Sequence, residues 1–140
     1  MHLAQVNIAK AKYELDDPKI AEFVGNLDKV NSIAEASEGF VWRLKLETDQ
    51  IVDFSLFDDS NYIINISVWE SADALKNFMF NGLHKEFLGR KKEWFEALPQ
   101  ASYALWWVEE GEQPTVEQAL ERLMHLRKKG ESDFAFTLRR

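Results

Sequence analysis

The segment 62–69, YIINISVW, constrains this chain more than any other. Successive side chains of a strand point to opposite faces, so Ile64, Ile66 and Val68 fall on one side and Asn65, Ser67 and Trp69 on the other. One side is apolar and the other mixes polar and aromatic groups, which suits a sheet with two different neighbours. HLAQVNIAKAK (2–12), FVWRLKLE (40–47) and YALWWVEE (103–110) also read as strands, while 48–61 offers an edge strand, IVDFSLF, and a turn, DDSN. Val6, Ile8, Phe40, Trp42 and Leu44 are expected on the apolar face. Gln5, Asn7, Arg43, Tyr103 and Trp107 are expected on the other.

Helix signals stand between these strands. Asp17 as cap and Pro18 at the first helical position open a helix within 16–37, with Ile20, Phe23, Val24, Leu27, Val30, Ile33 and Ala34 at helical spacing. Ser71 caps a second helix that turns Ala72, Leu75, Phe78 and Met79 inward; Asn81-Gly82 breaks it, and another helical piece runs from 83 to about 98. Thr115 and Gln118 form a capping box for a terminal helix that closes at Gly130. Phe134 and Phe136 of the tail are expected to dock on the body. The order strand–helix–strand–strand–helix–strand is the ferredoxin-like split βαβ pattern, an α+β fold with helices on one face of an antiparallel sheet. A chain of 140 residues buries one core, so 1–140 reads as a single domain: a ferredoxin-like core over 1–110, then an added helix and tail over 111–140.

Composition removes whole classes of function. There is no cysteine, which excludes disulfides, thiol catalysis and thiolate metal sites. The three histidines, His2, His84 and His125, fit no zinc spacing, and no metal site is expected. A net charge of −7 opposes nucleic-acid binding, and the basic residues near the end (Arg122, Arg127, Lys128, Lys129) read as a solvated helix end. No apolar run reaches the roughly 20 residues of a membrane span. The first residues lack the order of a signal peptide, so a cytoplasmic location is expected.

The second sheet face carries the functional reading. Neutral hydrogen-bonding side chains interleaved with large aromatics describe a small-molecule pocket, or else a dimer interface whose polar atoms are paired by water. Either way, an uncovered face bearing Trp69 and Trp107 calls for a partner, and a two-fold homodimer is expected. Asn7 and Asn65 are suited to donate to a developing oxyanion. Arg43 is suited to clamp a carboxylate or phenolate, or to make an inter-subunit salt bridge. Trp69 is suited to stack on a planar substrate, with Gln5, Ser67, Tyr103 and Trp107 lining the same face.

Together, HLAQVNIA, GFVWRL, ISVWESADAL, EWF, LWWVEEG and the AFT of the tail make the chain resemble domain-of-unknown-function family 3291, within the dimeric α+β barrel superfamily. The resemblance spans nearly the whole chain; it implies a barrel dimer and no established activity. More distantly, the superfamily includes antibiotic-biosynthesis monooxygenases, haem-degrading monooxygenases and muconolactone-isomerase-like enzymes. Its monooxygenases use an asparagine on the first strand, a tryptophan in the sheet and a histidine on a helix. By that resemblance Asn7, Trp69 and His84 take those places. His84 shares a helical face with Phe87 and Leu88, so three roles stand open: a hydrogen-bonded core residue, a general base, or an axial haem ligand. The expected function is a dimer that binds a small apolar or aromatic molecule, with monooxygenase-like or isomerase-like chemistry that needs no cofactor. In that reading Asn7 and Trp69 position the substrate and His84 moves a proton. The alternatives are a haem-binding or haem-degrading protein and a non-catalytic binding module.

Overall fold

The computed structural model describes residues 1–13, 17–45, 62–80, 82–98 and 100–138, apart from the side chains of Leu83, His84 and Phe87. The edge strand and turn expected within 48–61 lie outside the described residues. Four strands, β1 (His2–Lys10), β2 (Phe40–Arg43), β3 (Tyr62–Trp69) and β4 (Tyr103–Val108), form one antiparallel sheet in the order β2-β3-β1-β4. The helices are α1 (Ala21–Gly25), α2 (Leu27–Glu35), α3 (Ala72–Met79), α4 (Gly82–Gly89) and α5 (Val116–Lys129). Among the described residues, no helix is long and apolar enough to cross a membrane.

The caps form as the residue types dictate. Asp17 Oδ1 accepts from the Lys19 amide, Ser71 Oγ from the Ala74 amide, and Thr115 and Gln118 exchange the two bonds of a capping box. The helix expected within 16–37, however, is a short 3-10 turn followed by two helices that break at Asn26. Gly25 is a poor helix former, and Asn26 Nδ2 donates to the Glu22 carbonyl, competing with the backbone for that acceptor. The piece expected from 83 to 98 is also shorter. It ends at Gly89, and after a 3-10 turn Phe95 bridges to Ala11, bringing Trp94 against Ile20 and Phe23. Arg90 seals this corner: it holds Glu22 through both carboxylate oxygens, holds Glu93, and lies 4.8 Å over the Trp94 ring.

Cross-strand register sets what each face carries. On the apolar face Val6, Ile8, Ile66, Val68, Trp106 and Val108 pack against Leu120, Leu123 and Leu126. The helix over that face is therefore the added α5. The connecting helices lie on the opposite face, where Ala34 and Leu75 pack with Leu3, Trp69 and Leu105. Helices thus cover both faces, although the alternation assigned them to the apolar one. Phe40 is a second correction. A bulge between Phe40 and Trp42 shifts the β2 register, so Phe40 pairs with Trp69 while Trp42 pairs with Val68. Phe40 consequently meets the Trp69 ring edge-on, at 5.5 Å and 82°. The tail docks as expected, Phe136 exchanging both backbone bonds with Leu105 at the outer side of β4.

Gly39 fixes how closely α3 approaches the start of β2. Its φ is +83°, its carbonyl accepts from the Glu70 amide at 2.7 Å, and a Cβ there would meet the Ala74 Cβ at 2.4 Å. Gly39→Ala combines a left-handed backbone with overpacking and is expected to destabilise by about 3 kcal/mol. Gly25→Ala, with nothing within 4 Å of the added methyl, is expected to change stability by less than about 1 kcal/mol. Urea unfolding of the two variants measures the difference.

Candidate functional site

Three rows of side chains cross the face opposite α5. Register places Phe40, Trp69, Leu3 and Trp107 in the first, Arg43, Ser67, Gln5 and Leu105 in the second, and Asn65, Asn7 and Tyr103 in the third. All eight candidates on the sheet therefore share one face, as the alternation predicts. Their surroundings differ sharply. Trp69 is sealed at 1% exposure, stacked on Phe78 at 5.2 Å, whereas Trp107 is 44% exposed beside Phe136. The apolar patch that the sequence assigns to both tryptophans is thus reduced to one of them by the chain's own α3.

A hydrogen-bonded chain runs from the first row to the third. Trp69 Nε1 donates to Ser67 Oγ at 2.8 Å; Gln5 Nε2 donates to the same oxygen at 2.7 Å and to Asn65 Oδ1 at 2.6 Å. Among the described residues Gln5 and Ser67, 8% and 6% exposed, are the buried polar ones, while Asn7 and Asn65 are exposed. A buried indole N–H can only donate, and a hydroxyl accepts two such bonds. Ser67, one residue between two larger neighbours, therefore satisfies two side chains at once. Cross-strand pairing with Gln5 brings the amide into reach, and the pleat keeps Trp69, two residues along, on the same face.

The charged candidate is already engaged. Arg43 Nε donates to Glu35 Oε1 at 2.8 Å across the end of α2, and that bond holds the Glu35 carboxyl below its ordinary 4.5. The salt bridge made here is within the chain. Tyr103 Oη accepts from the Leu138 amide at 3.3 Å, tying the tail to the third row. His84 lies on α4, but its side chain is outside the described residues. Among the described residues, no group of three His, Cys, Asp or Glu side chains is placed to hold a metal ion.

A cleft of about 460 Å³ opens elsewhere, between the end of α2 and α3, lined among others by Glu38, Glu70, Asp73, Asn77 and Phe78. None of the eight candidates on the sheet lines it, and Phe78, which stacks on Trp69, forms part of its wall. The alternation of strands and the capping of Ser71 give no sign of this cleft, because it arises from the packing of two helix ends.

The family model "Domain of unknown function (DUF3291)" matches residues 2–140. No curated protein matches the chain. Among solved structures the chain is similar to SnoaB, a cofactor-independent oxygenase from Streptomyces nogalater, at 17% identity and a TM-score of 0.51, over 81% of this chain and 98% of that one. An asparagine-to-alanine variant of SnoaB aligns at 16% identity with the same TM-score and coverage. Likeness at this identity shows the fold alone: a ferredoxin-like α+β sheet shared with SnoaB.

The Ser67 bond generates a direct test. Ser67→Ala leaves the indole N–H of Trp69 buried without an acceptor and is expected to cost about 1–3 kcal/mol, read by urea unfolding. Ser67→Thr, which keeps the oxygen, is expected to recover most of that loss.

Proposed function

The chain belongs to the DUF3291 family, and from that premise we propose that it binds a small planar apolar molecule against the Gln5–Asn7–Asn65–Tyr103 region of the sheet. The observation that carries this reading is the chain Trp69–Ser67–Gln5–Asn65, which runs from a buried indole to an exposed asparagine that pairs across the strands with Asn7, on a face that also carries Phe40, Tyr103 and Trp107. Mostly apolar walls with a few fixed polar groups suit a small-molecule site. A free-standing solvent face has no need of amides oriented from beneath.

The reaction proposed is oxygenation without a cofactor, and the fold shared with SnoaB supports it. His84 removes an acidic C–H proton, Asn7 and Asn65 hydrogen-bond the oxygen on which negative charge develops, and the resulting carbanion reacts with dioxygen. A methylene then becomes a carbonyl, with one oxygen atom retained and the other released as water: R2CH2 + O2 gives R2CO + H2O. Trp69, with its N–H spent on Ser67, serves in this scheme by holding the polar chain in place.

Pairing of two copies is also proposed, and Trp107 supports it as the large aromatic left exposed on this face. Sedimentation is expected to give twice the mass of one chain, and Trp107→Lys to shift the population toward the single chain.

Anthrone, whose central methylene is acidic, serves as the probe for the reaction. The purified protein is expected to accelerate oxygen uptake and anthraquinone formation, and His84→Ala to lower the rate by about 100-fold or more. Oxygen uptake equal to that in buffer would remove the oxygenase reading.

A further inference from the structure

Two amides and a hydroxyl, anchored by one obligate donor, set what this face can read. The Trp69 indole N–H donates whatever happens around it, so one lone pair of Ser67 Oγ is permanently taken. With Gln5 Nε2 turned inward, its two hydrogens go to Ser67 Oγ at 2.7 Å and Asn65 Oδ1 at 2.6 Å. The groups then left over are Gln5 Oε1, an acceptor, and Asn65 Nδ2, a donor. The Ser67 hydroxyl hydrogen is left over as well, because both of its lone pairs are filled.

Turning both amides through 180° keeps every heavy-atom distance and reverses every sign. Gln5 Oε1 then accepts from the Ser67 hydroxyl and from Asn65 Nδ2, while the Trp69 bond is unchanged. The groups left over become Gln5 Nε2, a donor, and Asn65 Oδ1, an acceptor. Turning one amide alone sets like against like across the 2.6 Å contact and is disfavoured. The two amides therefore turn together or not at all. In both arrangements one of the two amides keeps its NH2 group unused and the other its C=O, so Gln5 and Asn65 together present a donor group beside an acceptor group.

We infer that the face selects a neutral, planar ligand whose edge carries a hydrogen-bond donor beside an acceptor, as a lactam does, and that the paired amides accept that edge in either orientation. The inference rests on the binding reading above and narrows it to a ligand class. Neutrality follows from the groups at hand: Gln5, Asn7, Asn65 and Ser67 carry no charge, and the neighbouring Arg43 is held by Glu35 at 2.8 Å. A carboxylate placed here would lose water and, among the described residues of this face, meet neutral amide and hydroxyl donors in exchange, the neighbouring Arg43 being already paired with Glu35.

The test compares 2-quinolone, which carries the lactam N–H and C=O, with 1-methyl-2-quinolone, which keeps the ring and carbonyl but lacks the donor. Titration into the full chain is followed by tryptophan fluorescence and by the side-chain amide signals of Gln5 and Asn65 in NMR spectra. The expected result is at least about tenfold tighter binding of 2-quinolone, the worth of one hydrogen bond. Its amide signals should move on binding, and the preference should vanish in Gln5→Met. Should Gln5→Met fail to fold, Asn65→Ala at the exposed end is expected to lose the same preference. Equal affinity for the two compounds overturns the inference and leaves the binding reading standing. Binding of neither overturns both. A preference that survives in Gln5→Met or Asn65→Ala also overturns it, since the donor and acceptor would then lie elsewhere.

Discussion

Burying Trp69 obliges the protein to supply an acceptor for an indole N–H, and much of the structure follows from how that obligation is met. The ring is enclosed edge-on by Phe40 and face-on by Phe78, which leaves Ser67 Oγ to take the hydrogen bond. Without an acceptor, such a donor would cost about 1–3 kcal/mol, a large share of the stability of a small domain. Ser67 in turn accepts from Gln5, and Gln5 reaches Asn65. A buried donor at one end of the sheet is thus linked through Ser67 to a coupled pair of amides at the other. The register of β1 on β3 makes this arrangement available, because it pairs Gln5 with Ser67 and Asn7 with Asn65.

Period-two alternation and capping residues were enough to read the architecture from the amino acids. Asp17, Ser71 and the Thr115–Gln118 pair begin their segments as their side-chain oxygens require, and β1, β3 and β4 fall where alternation puts them. The misreadings have local causes. One extra residue in β2 moves Phe40 to the other face, and alternation counted from Trp42 cannot register such a bulge. Asn26 ends α1 by a side-chain bond to Glu22, a competition invisible to hydrophobic spacing. Which helix lies on which face is decided by tertiary packing. Both faces are apolar enough to be covered, and α5 fits the one bearing Val6, Ile66 and Trp106.

The candidate site was legible in part for the same reason. Alternation grouped Gln5, Asn7, Arg43, Asn65, Ser67, Trp69, Tyr103 and Trp107, and the register places them on one face. Hydrogen-bond direction was not legible, because it depends on side-chain reach across two strands. Nor was the engagement of Arg43 by Glu35, which requires the end of α2 to arrive beside β2. The roles of the residues change accordingly. Trp69 becomes the anchor of the polar chain, Arg43 a link between helix and sheet, and the exposed asparagines the groups that the proposed ligand would meet. Membership of the DUF3291 family and the fold shared with SnoaB frame these roles without supplying a substrate.

Solvent exchange of the Trp69 indole proton, followed by NMR beside the half-exposed Trp107, tests the central claim most directly. The account predicts that the Trp69 indole N–H exchanges slowly, while the Trp107 indole exchanges at close to the rate of a free ring. Exchange of Trp69 as fast as that of Trp107 would contradict it, because the bond to Ser67 that orders the face would then be absent.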